Sequence, residues 1–402
     1  MARLSTVPLL EMTVEDPTET FLWKCGREIL HLCRLSGCST VTAPGQKWLK
    51  IPLVVYAGLV GFGLSAGLIR QIYLLRCCLG LNVKTGLGIV LSVYLVMCLI
   101  SWAWLHYAQS KIFHWSPDPD LLNSAKSKSD KEPTNRCRRM ARKFFAVAGI
   151  NLFCNLMVYV MGWIGFVNVS VSESMSWVDA YMVAAMAPFQ CALALQGIAA
   201  TMCKYATESF NASLSEEIET ASEKEKAFTN ILLKYNSVDA LLHGHDKLWS
   251  WYYLCFNGCL ITLVCGNLYV LALGRMKDLE YVVITLWILM CVCALVELNL
   301  PAVAANERGS QTLDRLFVRI GKYSQQNSSE ACGRTLQYLH FLVQKLTYRK
   351  PMITVGGFFE LSRTALLTLV SAILTYFLVL VQFGTSSPCL RGPHNKTVHE
   401  ET

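Results

Sequence analysis

Blocks of twenty or more apolar residues recur seven times along this chain. They cover residues 52–76, 86–106, 144–166, 178–203, 251–273, 281–304 and 357–383. Each is long enough to cross about 30 Å of hydrocarbon as a helix. A bilayer core holds no water to satisfy open backbone groups, so spans of this kind are helices rather than unpaired strands. Only 16% of the residues are charged, against about a quarter in an ordinary soluble protein. The sequence therefore specifies an all-α polytopic membrane protein with seven transmembrane helices.

Lys and Arg give the orientation. The segment before the first span and the loops after the second, fourth and sixth spans carry 28 of the 36 basic residues. Cytoplasmic loops concentrate Lys and Arg, so the N-terminus is expected in the cytoplasm and the C-terminus outside. The net charge of +8 follows from this topology, and no nucleic-acid partner is expected. The first twenty residues carry Glu11, Glu15, Asp16 and Glu19 and lack an apolar core behind a basic start. The first span is then expected to act as its own insertion signal.

Two sequons, Asn168-Val169-Ser170 and Asn395-Lys396-Thr397, fall on the outer side and are candidate glycosylation sites. Asn211-Ala212-Ser213 falls on the inner side and should stay unmodified. The 17 cysteines show no metal-ligand spacing, and they read as small apolar residues within helices. An outer disulfide involving Cys77, Cys78 or Cys389 is the other reading. No metal and no cofactor are expected.

The inner loops are long and the outer ones short. After the fourth span, Phe228, Leu232, Tyr235, Val238 and Leu242 recur at helical steps, so spans four and five are expected to continue as cytoplasmic helices over 204–249. Leu336, Leu339, Val343 and Leu346 form one apolar stripe ahead of Pro351 and Gly356-Gly357. Five regions follow: a cytoplasmic N-terminal segment (1–51), a six-span bundle with cytoplasmic extensions (52–304), a cytoplasmic anchor (305–356), a seventh helix (357–383) and an extracellular tail (384–402). The pair Glu360 and Arg363 is three residues apart, close enough to pair on one helix face. His243 to Asp246, the tetrad HGHD, reads as interfacial polar residues.

The last span ends TYFLVLVQF: Thr375, Tyr376, five apolar residues, Gln382 and Phe383. This run, with Gly357-Phe358-Phe359 ahead of it, resembles the helix 7 signature of the insect and arthropod gustatory receptor family. The resemblance is specific from about 304 to 383 and rests on topology elsewhere. It implies a ligand-gated, non-selective cation channel in the plasma membrane, a homo- or heterotetramer whose seventh helices line one pore. Gln382, Phe383, Val379 and Leu380 are the pore and gate candidates; Thr375 and Tyr376 would brace the helix. A ring of amides at a pore mouth hydrates cations without holding them tightly, which conduction requires. A glutamine facing lipid alone would be costly.

The first six spans would enclose a pocket for a small organic ligand. Polar and aromatic candidates for it are Tyr159 and Trp163, Gln190 near Pro188, Asn267 and Tyr269, and Trp287. Phe377 stands where sugar-sensing members commonly carry an acidic residue, which tilts the reading toward bitter or aversive compounds. A secondary transporter would need ionisable residues at mid-membrane in related halves, and few are present. A co-receptor or non-chemosensory subunit of the same family would keep the same seventh helix. An enzyme is not expected.

Overall fold

The computed structural model describes residues 50–77, 83–115, 176–220, 225–273, 278–326, 330–348 and 352–386, with isolated residues between 34 and 37 and between 139 and 153. Tyr159, Trp163, Asn168, Asn395 and most of the third apolar block lie outside the described residues.

Among the described residues the chain forms α1 (Lys50–Cys77), α2 (Val83–His114), α3 (Ser176–Thr220), α4 (Glu225–Leu273), α5 (Asp278–Gln326), α6 (Glu330–Tyr348), β1 (Thr354–Val355), β2 (Phe359–Glu360) and α7 (Arg363–Ser386). Lys50–Tyr73, Gly88–Ala108, Thr229–Ala272 and Tyr281–Val318 are long and apolar enough to cross a membrane, and Arg363–Val379 is a shorter apolar stretch.

α4 and α5 have 49 residues each, about 70 Å at 1.5 Å per residue. Each therefore runs well beyond the thickness of a bilayer core. Tyr235, Val238 and Leu242 are buried, which explains their helical spacing: that face of α4 packs inside the bundle. α5 continues without a break past Pro301. α6 is the most amphipathic helix and buries Leu342, Val343 and Leu346.

α2, α3, α4 and α5 form the centre of the bundle, with α1 against α2 and α7 against α4. The α3 segment from Phe189 to Phe210 is the most deeply enclosed. Small residues there, such as Ala192, Ala194, Ala199 and Ala200, let neighbouring helices approach closely.

The block expected as one continuous helix from 357 starts later. Residues 354–360 form an antiparallel hairpin, Thr354 opposite Glu360 and Val355 opposite Phe359, and α7 begins at Arg363. Among the described residues the fold is thus all-α apart from this two-strand hairpin. Gly356 and Gly357 turn it with φ of +61° and +77°, a conformation that costs other residues more. The expected pairing of Glu360 with Arg363 on one helix face does not apply, because Glu360 lies in β2.

Candidate functional site

Three features converge on the apolar half of the bundle: a small cavity, a column of aromatic rings, and the exposed face of α7.

The cavity lies between α2, α3, α4 and α5. Tyr94 and Met97 line it from α2, Phe189 and Gln190 from α3, Leu260 from α4, and Trp287, Met290, Cys291 and Ala294 from α5. About 20 Å³ of it is open to the centre of a water molecule. That is room for about one water. Tyr94 meets Phe189 and Trp287 edge-on, with ring centroids 6.4 and 6.1 Å apart, the arrangement aromatic quadrupoles favour. Gln190 is 3% exposed, and its Oε1 has no hydrogen-bond partner among the described residues.

From the cavity a ring column descends. Phe189 stacks on Phe256 and Phe256 on Tyr252, both at 4.9 Å. Tyr252 meets Trp249 at 5.4 Å, and both lie beside Trp104. His245 closes the column between Trp115, Trp249 and Tyr253. It is fully buried, with neither ring nitrogen partnered among the described residues. Within the HGHD tetrad His245 is thus buried, whereas His243 is exposed.

Asp246, one residue on, reaches the hairpin. Its Oδ1 accepts from the Thr354 N–H at 2.6 Å and from the Thr354 hydroxyl at 2.8 Å. The Gly356 N–H donates to the Ser250 carbonyl at 2.8 Å. From α5, Asn306 Nδ2 donates to the carbonyls of Ile353 and Leu361, and its Oδ1 accepts from the Ile353 N–H, each at 2.8 Å. Arg363 then grips Glu307 through both Nε and Nη2, the latter at 2.8 Å. The root of α7 is therefore fixed to α4 and α5 by a polar collar.

Beyond the collar, α7 packs through Leu366, Leu369 and Ile373. Thr364, Thr368, Ser371, Thr375 and Gln382 are exposed and fall within about 60° of arc on the opposite face. The hydroxyls of Thr368 and Thr375 donate to the carbonyls of Thr364 and Ser371, both at 2.9 Å. Leu367, Val370, Leu374 and Leu378 are exposed along one flank, and Tyr376 and Val379 along the other.

Residues 120–387 match the family described as 7tm chemosensory receptor. The chain belongs to that family. This receptor is also similar over short stretches to two Caenorhabditis elegans proteins. Gustatory receptor family protein 3 is 32% identical over 128 residues, 31% of this chain and 28% of the relative. High-energy light unresponsive protein 1 is 31% identical over 121 residues, 30% of this chain and 27% of the relative. The aligned stretch is thus under a third of either relative. Among solved structures, the insect olfactory receptor OR5 from Machilis hrabei, in complex with eugenol and alone, aligns with a TM-score of 0.65 in both forms. Those alignments cover 92% of this chain and all of the other, at 16% and 15% identity. The receptor therefore has the fold of a seven-helix chemoreceptor and is a multi-pass protein of the plasma membrane.

Of the sequence candidates in the receptor, Gln190 and Trp287 meet at the cavity. Asn267 is buried in α4, donating to the Leu263 carbonyl at 2.9 Å with its Oδ1 unpartnered among the described residues. Tyr269 packs beside Gly86. Neither lines the cavity. Thr375, Tyr376, Val379, Leu380, Gln382 and Phe383 all lie in α7; Thr375, Tyr376, Val379 and Gln382 are exposed on it. Sequence reasoning missed Tyr94 and Phe189. The signal for Tyr94 was a lone phenol inside an otherwise apolar second span. Phe189 adjoins Gln190 and Pro188, where a helix interior already departs from aliphatic composition.

Proposed function

We propose that this receptor is one subunit of a ligand-gated, non-selective cation channel, opened by a small organic tastant, with bitter or aversive compounds favoured over sugars. In this reading the N-terminus is cytoplasmic, the C-terminus extracellular, and four copies, identical or related, arrange α7 around one pore.

The observation that carries the reading is the polar face of α7. Five polar side chains from Thr364 to Gln382 align on the side facing away from the receptor's own bundle. In lipid such a face is costly, and water or protein must cover it. A shared pore supplies the water, and the apolar flanks supply contact surfaces for neighbouring copies. Gln382 then forms a ring at the outer mouth, and Val379, Leu380 and Phe383 form an apolar constriction that gates by dewetting. Thr375 and Tyr376 steady the helix below it. The likeness to an olfactory receptor solved with eugenol supports a small-molecule stimulus.

The test is whole-cell current from the receptor expressed alone, during a panel of sugars, alkaloids and small metabolites. A ligand-evoked cation current is expected, altered by Gln382→Ala and blocked by Val379→Trp. Currents indifferent to both substitutions would sink the assignment of the pore to α7.

A further inference from the structure

The cavity between α2, α3, α4 and α5 contains a polar group with no partner among the described residues. A buried amide oxygen without a hydrogen bond is destabilising, and native interiors rarely retain one without a use. Gln190 is such a group. Tyr94 is similar: its hydroxyl has the weak Cys98 thiol beside it and no nitrogen or oxygen partner among the described residues. Both side chains line the same cavity, with Phe189 and Trp287 around them.

We propose that this cavity binds a small uncharged molecule carrying a hydroxyl on a compact apolar body, the hydroxyl bonding the Gln190 amide and the body lying among Tyr94, Phe189 and Trp287. The proposal rests on the small-molecule part of the functional reading above and names the ligand class for it.

Three arguments select this class. A Gln amide can turn over in place, so it offers an oxygen or an N–H to the cavity. A hydroxyl both donates and accepts, so it satisfies either face; an ether or a halide does not. Second, no Asp, Glu, Lys, Arg or His lines the cavity among the described residues. An ion entering it would lose its hydration with no opposite charge in return, which is prohibitive. Third, the lining is otherwise aromatic, aliphatic and sulfur-bearing, suited to an apolar body.

The space now present holds about one water. A one-ring ligand must therefore enlarge the site. Met97 and Met290 are the lining residues able to yield, because an unbranched thioether side chain repacks at little cost. Entry of the ligand would then press on the Tyr94, Phe189 and Trp287 rings, from which the aromatic column runs to the collar of α7.

The experiment measures binding without relying on current. The full-length receptor in lipid nanodiscs is titrated with 4-methylphenol and with its methyl ether, 4-methylanisole, by ligand-observed saturation-transfer NMR, with empty nanodiscs as background. Saturable binding of the phenol about ten-fold tighter than the ether is expected, the advantage of one added buried hydrogen bond. Gln190→Leu should bring the ratio close to one, and Gln190→Asn should reduce it. The wild-type ratio needs no variant, so a Gln190→Leu protein that fails to fold leaves the test intact. Equal binding of phenol and ether, absence of saturable binding, or tighter binding of 4-methylbenzylammonium would overturn the proposal. Hydroxyl-selective binding with no current in cells would retain this site and overturn a channel formed by this receptor alone; current without hydroxyl selectivity would do the reverse.

Discussion

One carboxylate oxygen of Asp246 accepts two hydrogen bonds from Thr354, one from its backbone and one from its hydroxyl, across 108 positions of sequence. The pair ties the hairpin at the root of α7 to the helix carrying the aromatic column. Removing the carboxylate with Asp246→Ala deletes both bonds, each worth about 1.5–3 kcal/mol with an ionised acceptor. Faster amide exchange is expected at residues 353–361, with α4 amides beyond Tyr252 unchanged. Unaltered exchange in the hairpin would show that Asn306 and the Gly356–Ser250 bond hold it without Asp246.

The second prediction concerns the hairpin glycines. A Cβ on Gly356 would meet Leu254 Cδ2 at 2.9 Å, whereas one on Gly357 would meet nothing within 4 Å. Both substitutions incur the left-handed backbone cost of about 1–2 kcal/mol. Gly356→Ala should therefore lower the melting temperature of the purified receptor more than Gly357→Ala, and Gly357→Asn should be the mildest. Equal losses would mean that the Leu254 side chain moves aside freely.

Asn257 and Asn299 exchange hydrogen bonds inside the bundle: Asn257 Nδ2 donates to Asn299 Oδ1 at 3.1 Å, and Asn299 Nδ2 to Asn257 Oδ1 at 2.7 Å. Replacing either with Leu strands the other amide, at about 1–3 kcal/mol. Replacing both removes the orphan, so the double variant should melt above at least one of the singles. Additive losses in a double-mutant cycle would disprove coupling between the two.

Of the four sequons, Asn168 and Asn395 are proposed outside and Asn211 and Asn327 inside, and glycosylation separates the two pairs. Asn211 is 2% exposed, donates to the Arg308 carbonyl at 3.0 Å and accepts from the Thr312 hydroxyl, so no glycan fits there. Any glycosidase-sensitive shift on a gel should vanish in Asn168→Gln/Asn395→Gln and persist in Asn211→Gln. A shift lost with Asn211→Gln would reverse the assigned orientation.

The membrane spans were legible because hydrocarbon imposes both length and composition on a helix. The long α4 was legible too, since Tyr235, Val238 and Leu242 repeat at the period of a buried face. The hairpin was not. Two-residue strands have no detectable period, and Gly356-Gly357 reads equally well as a simple break. The roles of Asp246, Asn306 and Glu307 depend on partners at Thr354, Ile353 and Arg363, brought together only by folding. At the cavity, Gln190 and Trp287 stood out by chemistry, but only the packing shows which phenol and which phenylalanine share their space.

Pro301 lies within the continuous α5, between the cavity residues at 287–294 and the collar residues Asn306 and Glu307. Proline donates no hydrogen bond to the preceding turn, so the Glu297 carbonyl loses its usual helical donor. One arm of α5 lines the cavity and the other holds the base of α7, and the turn short of one hydrogen bond lies between them.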